Sequence, residues 1–176
     1  MDRTVSEVPE NFKILQEIKK YEKFEKDFNS CLSKILKDYK RDFKSPTSMK
    51  TVLYPEASDL YNQDPTMDIG TYQRLVSIWR KVASICHPDK STGNEELFIY
   101  GHFLYTAKDL ESLTKFYESL KKSDNSFSQY MQNIINVNME KKRSHPFYKI
   151  IRNIILFKKY PSDQEVKSIL NRIENG

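Results

Sequence analysis

The chain has 176 residues, of which 38% are hydrophobic and 12% aromatic, enough apolar side chain for one domain with a packed core. Its net charge of +5 lies at the two ends, since residues 51–125 are slightly acidic, and this argues against nucleic-acid binding along the whole length. No run approaches the roughly 18 to 20 apolar residues of a membrane span, and the charged N-terminus has no apolar signal core. We therefore expect an intracellular protein, cytoplasmic or nuclear, without a membrane partner.

The composition also indicates the fold class. Only four Gly and seven Pro punctuate the chain, while Lys, Glu, Leu and Ile are abundant, so we predict an all-α fold. Two cysteines, Cys31 and Cys86, are too few for a disulfide framework or a four-ligand zinc site. Each falls on the apolar face of a predicted helix, which indicates a buried thiol, and we expect neither a metal nor a cofactor.

The first predicted element is a long N-terminal helical segment within residues 1–50. Residues 10–43 contain no Gly or Pro, and their apolar side chains recur every three or four positions, as in a coiled coil. Glu25 interrupts this series, which comprises Ile14, Ile18, Tyr21, Phe28, Leu32, Ile35 and Tyr39. Such a stripe requires a partner: the rest of the chain, a target protein, or a second copy in a homodimer. The pattern does not separate one unbroken helix from a hairpin that turns at Asn29-Ser30.

The middle segment, residues 51–125, follows a stretch rich in Pro and Ser at residues 44–58, which is typical of a linker or domain boundary. Asp59-Leu60-Tyr61 predicts a short helix that Pro65 ends.

A longer amphipathic helix is predicted from about Asp68 or Thr71 to Cys86. Its apolar stripe has helical spacing and consists of Leu75, Ile78, Trp79, Val82 and Cys86. The opposite side is polar and basic, with Arg74, Ser77, Lys81 and Ser84, and with Arg80 at its margin. We expect Trp79 to serve the core rather than a binding site.

A loop that reads His87-Pro88-Asp89-Lys90 and continues to Gly93 follows this helix. Pro88 cannot continue a helix and disfavours helical geometry at the residue before it. An apolar helix over 94–107 is predicted next, then a tight turn at Lys108-Asp109 and a further helix over 110–121.

Residues 126–176 predict a C-terminal extension of three helices, at about 127–141, 146–159 and 163–174. Ser144 is a candidate cap for the second of them, and Ser162 with Glu165 forms a capping box for the third.

The C-terminal extension is basic, with nine Lys and Arg against four Asp and Glu. Its cations form a candidate patch for nucleic acid or an acidic protein, consisting of Lys141, Lys142, Arg143, Lys149, Arg152, Lys158 and Lys159. The competing interpretation is a solvated helix end, where the helix dipole favours cations.

The basic helix, the His-Pro-Asp loop and the apolar helix after it together resemble the J-domain of DnaJ-type co-chaperones. The segment Ile78-Trp79-Arg80-Lys81-Val82-Ala83 is similar to the second helix of that family, and the distance from it to His87 fits the family. The loop sequence HPDKSTG is most similar to the auxilin branch, and the Lys-, Asn- and Ile-rich composition is similar to J-proteins of large DNA viruses. The resemblance covers residues 56–107, with no Gly/Phe-rich linker or cysteine-rich zinc module beyond them.

The resemblance implies an antiparallel helix pair joined by the His-Pro-Asp loop and a chain that docks on an ATP-bound DnaK-type (heat-shock-70) chaperone to stimulate its ATP hydrolysis. Asp89 would pair with an Arg of that partner, Pro88 would fix the loop, and His87 would hold its shape. The basic residues would face an acidic patch on the chaperone, and these are Arg74, Arg80, Lys81 and Lys90. Under this hypothesis the flanking helices choose the target protein, and the chain itself is not an enzyme.

The alternative hypothesis is a helical scaffold or nucleic-acid-binding protein with a J-like fold that lacks chaperone activity. His102 and His145 lie near large apolar residues without companion ligands, so each is expected to be a packed or surface histidine rather than a metal ligand. The sequence contains no glycine-rich phosphate loop, paired-carboxylate site or nucleophile constellation, which leaves an enzyme as the class with least support.

Overall fold

A computed structural model describes residues 7–39, 60–61 and 66–175 of the chain. The described backbone contains helices and no strands, which confirms the predicted all-α fold. A short 3-10 helix, Glu10–Phe12, comes first. Seven α-helices follow in the described residues: α1 (Ile14–Asp38), α2 (Ile69–Cys86), α3 (Glu95–Thr106), α4 (Leu110–Lys122), α5 (Ser126–Arg143), α6 (Tyr148–Phe157) and α7 (Asp163–Asn175).

The packing divides the chain into two compact units, each made of two stretches of sequence. Unit 1 comprises residues 1–18 and 59–135, and unit 2 comprises residues 19–58 and 136–176. Two of the three boundaries between the units fall inside helices, namely α1 and α5. The division into three consecutive segments, 1–50, 51–125 and 126–176, stays a prediction.

Unit 1 is built on α2, α3 and α4, which pack pairwise against one another. The first two helices are antiparallel: Tyr72 near the start of α2 lies against Tyr105 near the end of α3, and Trp79 lies against His102 one turn earlier in α3. The apolar side chains that α2, α3 and α4 bury are Leu75, Val82, Cys86, Leu97, Leu104, Leu113 and Phe116. The ring of Phe12 completes this core by contacting Phe116 edge-on, with ring centroids 5.1 Å apart.

Unit 2 has its own hydrophobic core, formed by the later part of α1 together with α6 and α7. Its buried members are Phe28, Leu32, Ile35, Leu36, Phe147, Ile150, Ile151, Val166, Ile169 and Leu170. The apolar stripe of α1 is therefore satisfied within the chain itself. Because α1 continues without a break through Asn29-Ser30, the long segment is one helix and not a hairpin at that point. Residues 40–43 of the predicted helix lie outside the described residues.

Helix caps explain most of the helix boundaries. The side chains of Asp68, Asn94 and Asp109 each accept a hydrogen bond from a backbone N–H in the first turn of α2, α3 and α4. Ser162 does the same for Glu165 at α7, as the capping box predicted.

The prediction that Ser144 caps α6 is wrong. The hydroxyl of Ser144 donates to the carbonyl of Glu140, while the Nδ1 atom of His145 accepts the N–H of Phe147 at 3.0 Å. Helix α6 begins only at Tyr148, too far along the chain for Ser144 to reach its first turn.

The linker predicted at residues 44–58 lies outside the described residues. The predicted short helix at Asp59-Leu60-Tyr61 lies there too, apart from its last two residues. Leu60 is buried, and Tyr61 packs edge-on against Phe103 with ring centroids 4.9 Å apart. The hydroxyl of Tyr61 lies 3.2 Å from that of Tyr100, so this short segment contacts one face of α3.

Candidate docking site

The loop between α2 and α3 is closed by its own backbone. Helix α2 ends at Cys86, and the N–H of Lys90 donates to the carbonyl of His87 at 2.9 Å. The N–H of Gly93 then donates to the carbonyl of Lys90 at 2.9 Å, and the N–H of Asn94 donates back to Cys86 at 3.0 Å. Three short-range bonds therefore hold a loop of seven residues in one conformation, and Pro88 adds a fixed φ angle to it.

Gly93 allows this closed conformation because there is no room for a side chain at its position. A Cβ atom placed on Gly93 would lie 2.1 Å from the carbonyl oxygen of His87 and 2.9 Å from that of Lys90. Both contacts are with backbone, which cannot rotate away as a side chain can. The loop thus depends on a close approach between its two ends that only glycine permits.

His87 forms the base of the loop. Its ring packs edge-on against Phe98 of α3, with centroids 5.3 Å apart, and its Nδ1 atom accepts the backbone N–H of Asp89 at 3.1 Å. The carboxylate of Asp89 lies 3.6 Å from the same nitrogen, with 90% of its side chain exposed. The imidazole therefore orients the backbone of Asp89, while the carboxylate of Asp89 remains accessible to a partner.

Helix α2 presents its basic residues to solvent, as the apolar spacing predicted. Arg74, Arg80 and Lys81 are exposed, as is Lys90 in the loop, while Leu75 on the other side of the helix is fully buried. The exposed carboxylate of Asp89 and the exposed cations of α2 lie on one helix and the loop that directly follows it. We call this set of residues, Arg74, Arg80, Lys81 and His87 to Lys90, the docking site.

A tyrosine of α4 adds to this surface, and sequence reasoning missed it. The ring of Tyr117 has the ammonium of Lys81 5.8 Å from its centroid and that of Lys121 5.5 Å from its centroid. Lys81 and a further cation, Lys121, therefore share the ring of Tyr117. No local pattern could indicate the pairing, because it arises from the packing of α4 against α2.

Trp79 links α2 to α3 through ring contacts and is not fully buried between them. Its ring is half-buried and is stacked on Tyr105 with centroids 5.7 Å apart and planes 17° apart. It also meets Phe98 and His102 at 5.4 and 5.3 Å. His102 is therefore an exposed histidine whose ring contacts Trp79. No group of three or more His, Cys, Asp or Glu in the described residues could hold a metal ion.

The two cysteine side chains are buried to different extents. Cys86 is buried at the end of α2, and this burial raises the pKa of its thiol to about 11. Cys31 is only half-buried, and burial together with the nearby Asp27 raises the pKa of its thiol as well. Neither thiol has the lowered pKa that marks a reactive nucleophile.

Two cations of the predicted basic patch, Lys142 and Arg143, contact carboxylates of unit 2. Lys142 lies 3.3 Å from the carboxylate of Glu25 and above the ring of Tyr21, with only 15% of its side chain exposed. Arg143 pairs with Glu140, and this hydrogen bond raises the pKa of the guanidinium. Lys142 therefore belongs to the packing of unit 2, whereas the other lysines and Arg152 are exposed.

Comparisons with protein-family models, with curated protein sequences and with solved structures found no match. Among the described helices, none is long and apolar enough to cross a membrane.

Proposed function

We propose that this protein is a specialised J-domain co-chaperone that docks on a DnaK-type chaperone through the docking site and stimulates ATP hydrolysis by that chaperone. The observation that carries the proposal is the exposed Asp89 carboxylate on a closed, braced loop that directly follows an exposed basic helix. The chain performs no chemistry in this proposal. It acts by binding one conformation of its partner better than another.

The closed loop holds the Asp89 carboxylate in place before any partner binds. A short carboxylate on a fixed loop loses little conformational entropy when it pairs with an arginine, and a bidentate pair of this kind is among the strongest hydrogen bonds in proteins. The cations of α2 would steer the encounter with an acidic partner surface and set its orientation. Lys81, positioned over Tyr117, supplies one of these cations in a defined place.

The test is single-turnover ATP hydrolysis by a DnaK-type chaperone, with increasing amounts of the wild-type chain or of Asp89→Asn. Loss of a charge-assisted hydrogen bond is worth about 1.5 to 3 kcal/mol, so the variant should require about 10- to 100-fold more protein for the same stimulation. Asp38→Asn is the matched control, because it makes the same change at an exposed carboxylate at the end of α1. Absence of stimulation by wild type, or equal stimulation by Asp89→Asn, would exclude the proposal.

A second experiment separates steering from docking. Arg80→Glu with Lys81→Glu should lower the association rate about tenfold at low salt, and the loss should shrink as salt screens the charges. The pair Lys23→Glu and Lys26→Glu on α1 makes the same charge change at exposed residues that are not part of the docking site and should leave the rate unchanged.

The alternative function, a scaffold with a J-like fold that lacks chaperone activity, makes the opposite prediction for both experiments. Such a scaffold would leave ATP hydrolysis at its basal rate, and neither Asp89→Asn nor the charge reversal on α2 would change it. The exposed cations of the C-terminal extension would then be its main binding surface, with nucleic acid as the ligand.

A further inference from the structure

The end of α6 exposes three large apolar side chains in five consecutive residues, 156–160, which we call the α6 tip. Leu156, Phe157 and Tyr160 are 54%, 61% and 73% exposed. The opposite face of α6 supplies Ile150 and Ile151 to the buried core of unit 2, but none of the three tip side chains packs against that core. The tip is therefore an apolar surface beyond what the fold itself uses.

The backbone holds the tip in a defined turn. Lys158 adopts a left-handed conformation with φ of 52°, and its N–H donates to the carbonyl of Ile154 at 3.0 Å. The N–H of Lys159 donates to Asn153 at 3.3 Å. Helix α6 thus ends at Phe157 in a hydrogen-bonded left-handed cap, and Tyr160 follows three residues later.

The stretch of sequence that contains the tip is basic. From Lys141 to Ser162 the chain has seven Lys and Arg and no Asp or Glu. Lys158 and Lys159 lie in the tip itself, and Lys149 and Arg152 lie on the exposed face of α6. A partner that complements this surface must offer many negative charges together with an apolar layer next to them.

We propose that the α6 tip binds the surface of an anionic lipid bilayer. In this arrangement Leu156, Phe157 and Tyr160 enter the boundary between headgroups and acyl chains, where aromatic and aliphatic side chains are stable next to lysines. The lysines face the phosphate and carboxylate groups of the lipid.

A nucleic acid would satisfy the lysines but would leave the aliphatic Leu156 without a partner, so the combination favours the bilayer. This contact lies on the membrane and does not span it, and the proposal replaces our expectation of a protein without a membrane partner.

The test is sedimentation of the full chain with vesicles of phosphatidylcholine alone or with about one third phosphatidylserine. We expect binding only to the anionic vesicles, weakening as salt is added. The double variant Lys158→Gln and Lys159→Gln should bind about 25-fold more weakly, since a lysine near such a surface contributes about fivefold. The matched control, Lys23→Gln with Lys26→Gln on α1, removes the same charge from exposed positions elsewhere and should bind as wild type does.

A second pair of variants tests insertion. Leu156→Ser with Phe157→Ser should weaken binding by about tenfold or more, because apolar side chains no longer enter the lipid. Val137→Ser is the control, since Val137 is an apolar side chain of α5 with similar exposure, 58%, outside the tip. All substituted side chains are exposed, and circular dichroism checks that each variant folds.

Several results would overturn the proposal. These are no wild-type binding to anionic vesicles, unchanged binding after the Leu156 and Phe157 substitutions, and tighter binding to an RNA oligonucleotide with the same dependence on Lys158 and Lys159. Self-association in sedimentation equilibrium that the tip variants abolish would also overturn it, in favour of a second copy as the occupant. Because the assay contains no chaperone, its outcome is independent of the docking proposal.

Discussion

The sharpest prediction from the loop geometry is the effect of Gly93→Ala. The added Cβ atom would lie 2.1 Å from the carbonyl oxygen of His87, whereas carbon and oxygen normally approach to roughly 3.3 Å. The loop must therefore open by roughly 1 Å, because the obstacle is backbone on both sides. Opening stretches the bonds from Gly93 to Lys90 and from Asn94 to Cys86, each worth about 1 kcal/mol.

The net magnitude follows from these terms. Weakening two hydrogen bonds destabilises the folded state by about 2 kcal/mol, and residual overpacking destabilises it by about 1 to 3 kcal/mol more. The lower conformational entropy of the unfolded alanine variant offsets about 0.4 to 1 kcal/mol of this loss. We expect Gly93→Ala to lower the free energy of unfolding by about 2 to 5 kcal/mol in urea denaturation. Its loop amides should also exchange with solvent faster than those of the wild type.

Gly70→Ala provides the control for Gly93→Ala. Gly70 lies in the exposed first turn of α2, and a Cβ atom there would meet only a carboxylate oxygen of Asp68 at an ordinary 3.5 Å. The same substitution should therefore stabilise the protein by up to about 1 kcal/mol through helix propensity. If Gly93→Ala unfolds within about 0.5 kcal/mol of wild type, the close approach of the loop ends does not exist and this reasoning fails.

Urea denaturation tests three further predictions. Asp109→Ala should cost about 2 to 3 kcal/mol, because the buried carboxylate accepts both the N–H and the hydroxyl of Ser112, whereas Asp109→Asn keeps the cap and should cost less than half as much. The raised pKa of the Cys86 thiol favours its protonated form in the folded state, so its stabilisation is complete below pH 9 and is lost as pH rises to about 11. A Cys86→Ala variant with the same alkaline slope as wild type would contradict this. Glu25→Ala should cost about 3 kcal/mol by leaving Lys142 without its carboxylate, and the double variant Glu25→Leu and Lys142→Met should recover most of that loss.

The parts of the fold that depend on local periodicity were predictable from sequence. The stripe of Leu75, Val82 and Cys86 predicted which face of α2 is buried, and Pro88 predicted where that helix ends. Helix α1 was predictable as helical, but whether it turned at Asn29-Ser30 was not, because neither residue excludes a helix.

The candidate docking site was likewise predictable only in the features that depend on periodicity within one helix. Its exposed charges follow from the stripe of α2, but the ring of Phe98 under His87 and the ring of Tyr117 beside Lys81 come from other helices. Spacing within one helix carries no information about such neighbours. The Ser144 cap failed for a different reason: a turn in which the N–H of Tyr148 donates to the carbonyl of His145 precedes α6, and no side chain caps that helix.

Glu25 and Lys142 show why two features that look unrelated in the sequence explain each other. In the sequence, Glu25 is a defect in the apolar series of α1, and Lys142 is one cation among several in a basic patch. In unit 2 the ammonium of Lys142 lies 3.3 Å from the carboxylate of Glu25, which also accepts the hydroxyl of Tyr21 at 2.9 Å. An isolated charge at either position would be costly to bury, so each residue is acceptable only because the other is present. Glu25 and Lys142 therefore form one buried ion pair. A cation that belongs to such a pair should not be counted in a basic patch predicted from sequence.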